Sequence, residues 1–460
     1  MGTVNAKVPD QNMESHESGF SEQTEDKDIK KVPAKVQRVI IDGLGRTKND
    51  IVEKAVKPIF SSQTFADMVN SSSRAKKRLQ KLGLFTQIDI EVDTSKAKSA
   101  SEDGYDVIFH VKEPTYPMRG KIGTEFGDSE GHLVFRLQLP NIFGRGEEVN
   151  GYYSQNLKTN QEYGFSFQKP LNGDPDIRLG ASVYKGIVEF PWSSFKETSR
   201  GTSINLTFPS IFGLHCLKWE GIWRDMRSLN KTTSFAVREQ AGHTLKSSIQ
   251  HVFTRDNRDD KILPNRGTFF KLTQEYAGIG GNVEFIKNDA ELQYNLPLVL
   301  DSVLQLSLAG GVLTKIDQNK DIKINDKFFL GGPLTLRGFN TNGVGPHADG
   351  NALGADAYWL SGLHLYTPLP FRPGKGGFGE LFRSHFFVTA GNLGNIDSSR
   401  TLQENFKNLS ETLRLSYGLG IVLRMGGIAR LEVNYVVPVR YQSTDGVDRG
   451  FQFGIGLSFL

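Results

Sequence analysis

The sequence predicts a transmembrane β-barrel of about 16 antiparallel strands preceded by one small β-α-α-β-β domain. Three observations predict it. From residue 118 to the C-terminus apolar residues alternate with polar or small ones at a period of two. Helical periodicity is confined to residues 34–113, and no run approaches the ~18 consecutive apolar residues of a membrane helix. The best candidate, Leu296 to Leu313, is broken by Pro297, Asp301 and Gln305. An apolar content of 38% suits a barrel, whose membrane face takes only every second residue.

Residues 1–33 include Asp10, Glu14, Glu17, Glu22, Glu25, Asp26 and Asp28, with Phe20 as their only aromatic. They have neither an apolar secretory core nor an Arg-rich amphipathic pattern, and are expected to form a disordered acidic tail.

Residues 34–113 read as one compact domain. Val36–Asp42 is a β-branched run. Thr47, a candidate N-cap, precedes Ile51, Val52, Ala55, Val56 and Ile59 at helical spacing. A second helix over 65–82 places Met68, Ala75, Leu79 and Leu82 on one side, and Gly83 ends it. Two alternating strands follow, Ile88-x-Ile90-x-Val92 and Val107-x-Phe109-x-Val111, so two helices can cover one sheet face.

Barrel segments are predicted to begin near 118, 130, 145, 160, 175, 198, 214, 243, 266, 283, 302, 355, 384, 411, 428 and 450, with 231–240 assigned to a loop. The clearest runs Leu413, Leu415, Tyr417, Leu419, Ile421, Leu423, Met425 against small or cationic residues. The last sets Phe451, Phe453, Ile455, Leu457 and Phe459 against Gln452, Gly454, Gly456 and Ser458. A soluble sandwich would need a second set of apolar residues to fill a core between two sheets, and none is visible.

Composition narrows the function classes. One cysteine, Cys216, excludes an internal disulfide framework, and 55 basic against 51 acidic residues point to no nucleic acid or other polyanion. Nine scattered histidines suggest no metal site, and no cofactor motif is convincing. Gly374-Lys375-Gly376-Gly377-Phe378-Gly379 follows prolines rather than a parallel strand, so it reads as a turn. The sequon Asn205-Leu206-Thr207 falls in a predicted strand and is expected to be unused.

The connection 314–355 exceeds the ~12–15 residues of ordinary loops. Its centre, Phe328 to Phe339, is apolar and glycine-rich with a single Arg337, which suits either an external loop or one folded into the polar lumen. Leu336-Arg337-Gly338-Phe339 resembles the lid-loop signature of the BamA-type outer-membrane insertase superfamily. Asp256-Asn257-Arg258-Asp259 followed by Pro264-Asn265-Arg266-Gly267 resembles that family's turn motif. Gln452, Gly454, Ile455, Leu457 and Phe459 are similar to the C-terminal sorting signal of mitochondrial barrels.

One domain before the barrel resembles the family's polypeptide-transport-associated (POTRA) module, in the arrangement of the mitochondrial sorting and assembly branch. Leu363–Pro370 and Gly377–Leu381 look like its animal form. The resemblance implies a barrel insertase of the mitochondrial outer membrane, with its N-terminal domain in the intermembrane space. It also implies client barrel precursors, metaxin-type peripheral subunits and the cristae-organising complex as partners. A translocating channel of the same superfamily and a passive pore are the competing functions.

Bacterial members meet the lid arginine with acids, but here His364 and Thr389 stand near those places. Arg337 is therefore expected to find hydroxyl, carbonyl or water acceptors, or another acid such as Asp356. Gly120, Gly123 and Gly127 in the first strand face Gly450, Gly454 and Gly456 in the last. Each glycine weakens a strand by roughly 0.5–1 kcal/mol, which makes this closing seam a candidate lateral gate.

Overall fold

The computed structural model describes residues 32–460 except 96–100, 102, 116–117, 128–129, 157–159, 318–319, 370–377, 398, 428, 457–458 and 460. At 124–127, 130–131, 378, 402 and 406 it describes the main chain alone. Most of the acidic tail, most of the Gly374–Gly379 turn and Leu457 thus lie outside the described residues. The chain divides into two units, 1–114 and 115–460.

The first unit contains β1 (Lys35–Asp42), α1 (Asn49–Val56), α2 (Phe65–Leu82), β2 (Gln87–Thr94) and β3 (Gly104–Lys112). Its sheet order is β1-β3-β2, with β1 parallel and β2 antiparallel to β3. Val36, Val52, Ile59, Met68, Leu79, Ile88, Val107 and Phe109 form one core. α2 starts at Thr64, whose side chain accepts from the Asp67 amide, and stops at Gly83 in the left-handed region.

Thr47 does not cap α1, which begins after Lys48 with no side-chain cap. Its amide instead donates to the Glu113 carboxylate at 2.9 Å, beside those of Gly45 and Arg46. Partial burial pushes the Glu113 carboxyl up, but these donors and the Thr47 hydroxyl outweigh it and hold it below its ordinary value.

The barrel strands are β4 (Arg119–Gly127), β5 (Glu130–Pro140), β6 (Glu148–Asn156), β7 (Gln161–Pro170), β8 (Arg178–Phe190), β9 (Phe195–Pro209), β10 (Leu214–Ser228) and β11 (Gly242–Asp256). They continue with β12 (Gly267–Gly281), β13 (Phe285–Pro297) and β14 (Val303–Lys315). After a two-residue hairpin, β15 (His347–Ala348) and β16 (Asn351–Ala352), come β17 (Ala357–Pro368), β18 (Phe382–Gly394), β19 (Arg414–Met425), β20 (Ala429–Arg440) and β21 (Gly450–Gly456). Without the hairpin these form one 16-stranded sheet in chain order. Each predicted start lies within three residues of an observed one. Residues 231–240 are a connection holding a short helix, α3 (Phe235–Arg238).

The two faces are inverted relative to a soluble protein. Phe165, Tyr417, Leu419, Ile421 and Phe451 are exposed on the outside, while Ser416, Glu432 and Asn434 are buried within. That is the distribution a bilayer selects. Antiparallel alternation defines two ends. Connections 141–147, 171–177, 210–213, 257–266 and 298–302 lie at the end where β4 begins, here called the near end. Connections 191–194, 229–241, 282–284, 316–356, 395–413 and 441–449 lie at the far end.

The last strand departs from its alternation. Its ladder ends at the Arg430–Gly456 pair, and Phe459, expected on the outer apolar face, is buried inside. There its ring lies 4.1 Å from the Arg430 guanidinium and 5.8 Å from that of Arg337, so two cations attract its π-face inward. Among the described residues no ladder pair joins β4 to β21; each is paired on one side only.

Candidate functional site

The loop 316–356 enters the lumen from the far end, and three buried ion pairs help to fasten it. Arg224 of β10 forks onto both Asp326 oxygens at 2.9 Å each, with both side chains buried. Arg414 of β19 likewise holds Asp445 at 2.9 Å and 2.9 Å, and Asp445 accepts from the Gly345 amide of the loop. Between these lies Arg337, fully buried.

The acid that receives Arg337 is Glu432 of β20, at 2.9 Å from Nη2 and 3.3 Å from Nε. It is not Asp356, which stands 3.9 Å from Lys327. The reason is positional: inward alternation along β20 aims Arg430, Glu432 and Asn434 at the loop. Arg430 reaches the other Glu432 oxygen at 3.0 Å, and Asn434 donates to Oε2 at 2.9 Å. The Asn434 oxygen is then left to accept from His385 Nδ1–H, and His385 Nε2 from His364 Nδ1–H. Thr389 reaches the loop indirectly, bonding Ser416, whose hydroxyl donates to the Arg337 carbonyl at 2.6 Å. His364 thus connects to the guanidinium through His385, Asn434 and Glu432, and Thr389 through Ser416 to the Arg337 carbonyl.

The other residues of the lid motif are equally constrained. Leu336 and Phe339 are fully buried. Gly338 has φ +87°, and a Cβ there would stand 3.1 Å from Val436. Gln452 of β21 clamps this motif: its Oε1 accepts from the Gly338 amide at 2.8 Å, and its Nε2 donates to the Phe339 carbonyl at 3.2 Å.

In the turn motif, Arg258 holds Asp256 through two bonds of 2.9 Å and lies over the Phe269 ring at 4.4 Å. Asp259 accepts from the amides of Asn265 and Arg266. Pro264 is buried, and Gly267 at φ +106° comes so close to Asn257 that a Cβ would lie 2.3 Å from its carbonyl oxygen. The turn also folds inward: Leu263 packs with Val303, Tyr366 and Val422, and the Ile262 carbonyl accepts from Arg430. Arg430 therefore bridges the turn to Glu432.

The seam glycines divide. Gly120, Gly123 and Gly450 border open space, whereas a Cβ at Gly454 would stand 3.1 Å from Phe459 and 3.3 Å from Pro333. Gly456 lies against Leu334. The side-chain environment of Gly127 is outside the described residues. Ile455 pairs with Leu431.

Sequence reasoning missed Glu432 as the lid's partner, together with the Arg224–Asp326 and Arg414–Asp445 anchors. One signal was available, since Glu432 is the only acidic residue in the last five barrel strands. Opposite the anchored wall, a cavity of ≈ 1230 Å³ separates the lid from β5–β8, lined by His132, Ser154, Glu162 and Glu189 on one side and Gly331–Thr335 on the other.

A family model for the Omp85 superfamily domain matches residues 141–459. The chain is 47% identical over 426 residues to the Sorting and assembly machinery component 50 homolog of Mus musculus, covering 92% of this chain and 90% of that protein. It is 46% identical over 426 residues to the Homo sapiens homolog, with the same coverage of each. Identity to a SAM50-like protein of Drosophila melanogaster is 35% over 442 residues, covering 94% of this chain and 96% of the relative. In fold it is similar to BamA from Haemophilus ducreyi lacking POTRA domains 1-3, with a TM-score of 0.73 at 18% identity, over 91% of this chain and 84% of that one. The chain belongs to the Omp85 superfamily and, within it, to the Sorting and assembly machinery component 50 family.

Proposed function

We propose that this protein folds and inserts β-barrel proteins into the mitochondrial outer membrane by opening sideways between β4 and β21. The observation that carries the reading is the contrast at the closing seam. β4 and β21 each pair on one side only among the described residues, while buried ion pairs lock the lid to β10 and β20, and Asp445, held by Arg414 of β19, accepts from the lid's Gly345 amide. An edge strand facing lipid cannot leave its amides and carbonyls bare, so an opened seam templates a client strand by β-augmentation. Glycines with open space beside them, Gly120 and Gly123, keep that edge unobstructed. Among the described residues β1 and β2 of the N-terminal domain each pair on one side only, and with that domain in the intermembrane space these edges suit it to client handover.

Metaxin-type peripheral subunits and the cristae-organising complex are the companions this reading expects. A lid held inside the lumen by buried ion pairs to β10 and β20 weighs against a passive pore. A translocating channel shares the fold but passes polypeptide through the lumen. Depleting the protein and following unrelated outer-membrane barrels separates the three: failure of those barrels to assemble supports the insertase, and normal assembly overturns it. A disulfide between cysteines scanned along 120–123 and 451–455 is expected to stop client insertion. Positions other than Gly454 are preferable, because a side chain there crowds Phe459 and Pro333.

A further inference from the structure

Four near-end connections share a pattern that the insertase reading does not use. Each follows a proline at the end of a strand and then presents large apolar side chains: Phe143 after Pro140, Leu171 after Pro170, Ile211 and Phe212 after Pro209, Val299 and Leu300 after Pro297. Two of them repeat the same Pro-x-Ile-Phe-Gly sequence, at 140–144 and 209–213. These residues stand at the tips. Ile211 is 93% exposed, Leu300 87%, Val299 82%, and Phe143 and Phe212 64% each.

Turns that face water are built from Gly, Asn, Asp, Ser and Pro, whose backbone preferences suit the bend and whose side chains are readily hydrated. The turn at 298–302 shows that something else selects these residues. Leu300 and Asp301 have φ of +59° and +54°, the left-handed conformation that two-residue hairpins ordinarily give to Asn-Gly. A bulky side chain is strained there. Glycine or asparagine at 300 would relieve the strain and remove an exposed leucine, yet leucine is present.

The far end is different. Among the described residues its connections expose Phe235, Ile316 and Tyr441, one to a connection. At the near end the apolar tips also continue the outer face of the strands that lead to them, where Leu137, Phe165, Ile204 and Leu296 are exposed. The surface they extend is the one that meets lipid.

We propose that the near-end turns joining β5–β6, β7–β8, β9–β10 and β13–β14 insert into the bilayer interface, so that this rim of the barrel binds lipid acyl chains beneath the headgroups. The occupant is lipid because the tips are contiguous with the lipid-facing wall and because the outermost of them, Ile211-Phe212 and Val299-Leu300, carry no charge. This rim then sets the depth of the barrel in its membrane from one side only, leaving the polar far end in water. The inference rests on the barrel fold and is independent of the gate.

The test uses the full chain in phosphatidylcholine vesicles, with Cys216→Ser as background and a nitroxide label on Phe212→Cys, Val299→Cys or, as far-end control, Gln442→Cys. Collisions with oxygen are expected to exceed those with a water-soluble nickel chelate at 212 and 299, and the order to reverse at 442. Nickel access at both near-end sites equal to that at 442, in a barrel whose folded state is verified by heat-dependent gel migration, would overturn the proposal. Because these vesicles hold no other protein, tips that need a protein partner give that same overturning result. If a labelled variant does not fold, Ile211→Cys and Leu300→Cys report on the same two turns.

Discussion

The two sides of the lumen are built from the same alternating strands yet differ in what their inner faces touch. On β17–β21 the inward residues His364, Thr389, Ser416, Glu432, Asn434 and Gln452 are buried and bonded to the lid or to one another. On β4–β7 the inward residues Lys121, Arg136 and Glu162 are exposed, and a cavity of ≈ 1230 Å³ lies between part of that wall and the lid. The difference teaches that strand pattern alone does not set the rigidity of a barrel wall. One long loop packs against the inner face from β10 to β21 and leaves β4–β7, including one edge of the seam, beside a cavity.

The largest effect that could break this comparison is expected from Glu432→Ala. It strands Arg337 and Arg430 without their shared carboxylate, and removing one member of a buried pair costs about 3–5 kcal/mol. Urea midpoints of the detergent-folded barrel measure it. A loss no greater than that of Glu162→Ala on the opposite wall would make the two sides equivalent. Arg337→Ala is expected to leave the barrel membrane-inserted while slowing assembly of client barrels; a normal assembly rate would remove the lid from the mechanism.

Gln452→Ala comes next. It removes two bonds to the Gly338–Phe339 backbone, and leaving such buried groups unsatisfied costs about 1–3 kcal/mol. Faster protease cleavage within 331–345 is the expected sign of a loosened lid, and unchanged cleavage would show that the ion pairs alone hold it. Glu162→Ala sharpens the comparison from the other side. This carboxylate is exposed and accepts one bond from Tyr152, so a change within about 0.5 kcal/mol is expected.

The smallest effect lies outside both walls. In the N-terminal domain the Arg38 guanidinium holds the Asp106 carboxyl below its ordinary value, and Glu113 is likewise depressed. Groups whose folded pKa is lowered stabilise the fold at neutral pH, and that contribution fades as pH falls through the folded values, below the ordinary carboxylate range. Hydrogen-exchange protection factors of residues 34–113 in the full chain, which divide out the intrinsic pH dependence of amide exchange, are expected to fall there. Protection that does not change with pH would separate the domain's stability from these two carboxylates.

Local rules were legible where the partner was local. α2 follows from its apolar spacing, Thr64 and Gly83, all within twenty residues of sequence. The barrel strands follow from alternation, which each strand carries in itself. The reading failed where a distant group competed. Thr47 gives its hydroxyl, as well as its amide, to a carboxylate 66 residues away instead of capping α1. Phe459 left its alternating face because Arg430 and Arg337 offered cations inside. Alternation puts Glu432 on the inner face of its strand, but no residue near it in sequence points to an arginine 95 residues earlier.

The membrane barrel, its sixteen strands and the small domain before it were determined by the sequence alone, because periodicity of two or 3.6 is a property of consecutive residues. The lid motif could be singled out in the same way, as an apolar, glycine-rich run with one arginine. What that arginine holds, and that Gln452 of the terminal strand clamps the lid, only the tertiary structure decided. Those pairings join residues 95 and 114 positions apart, and only the folding of the 316–356 loop into the lumen brings it within hydrogen-bond distance of the inward side chains of β20 and β21.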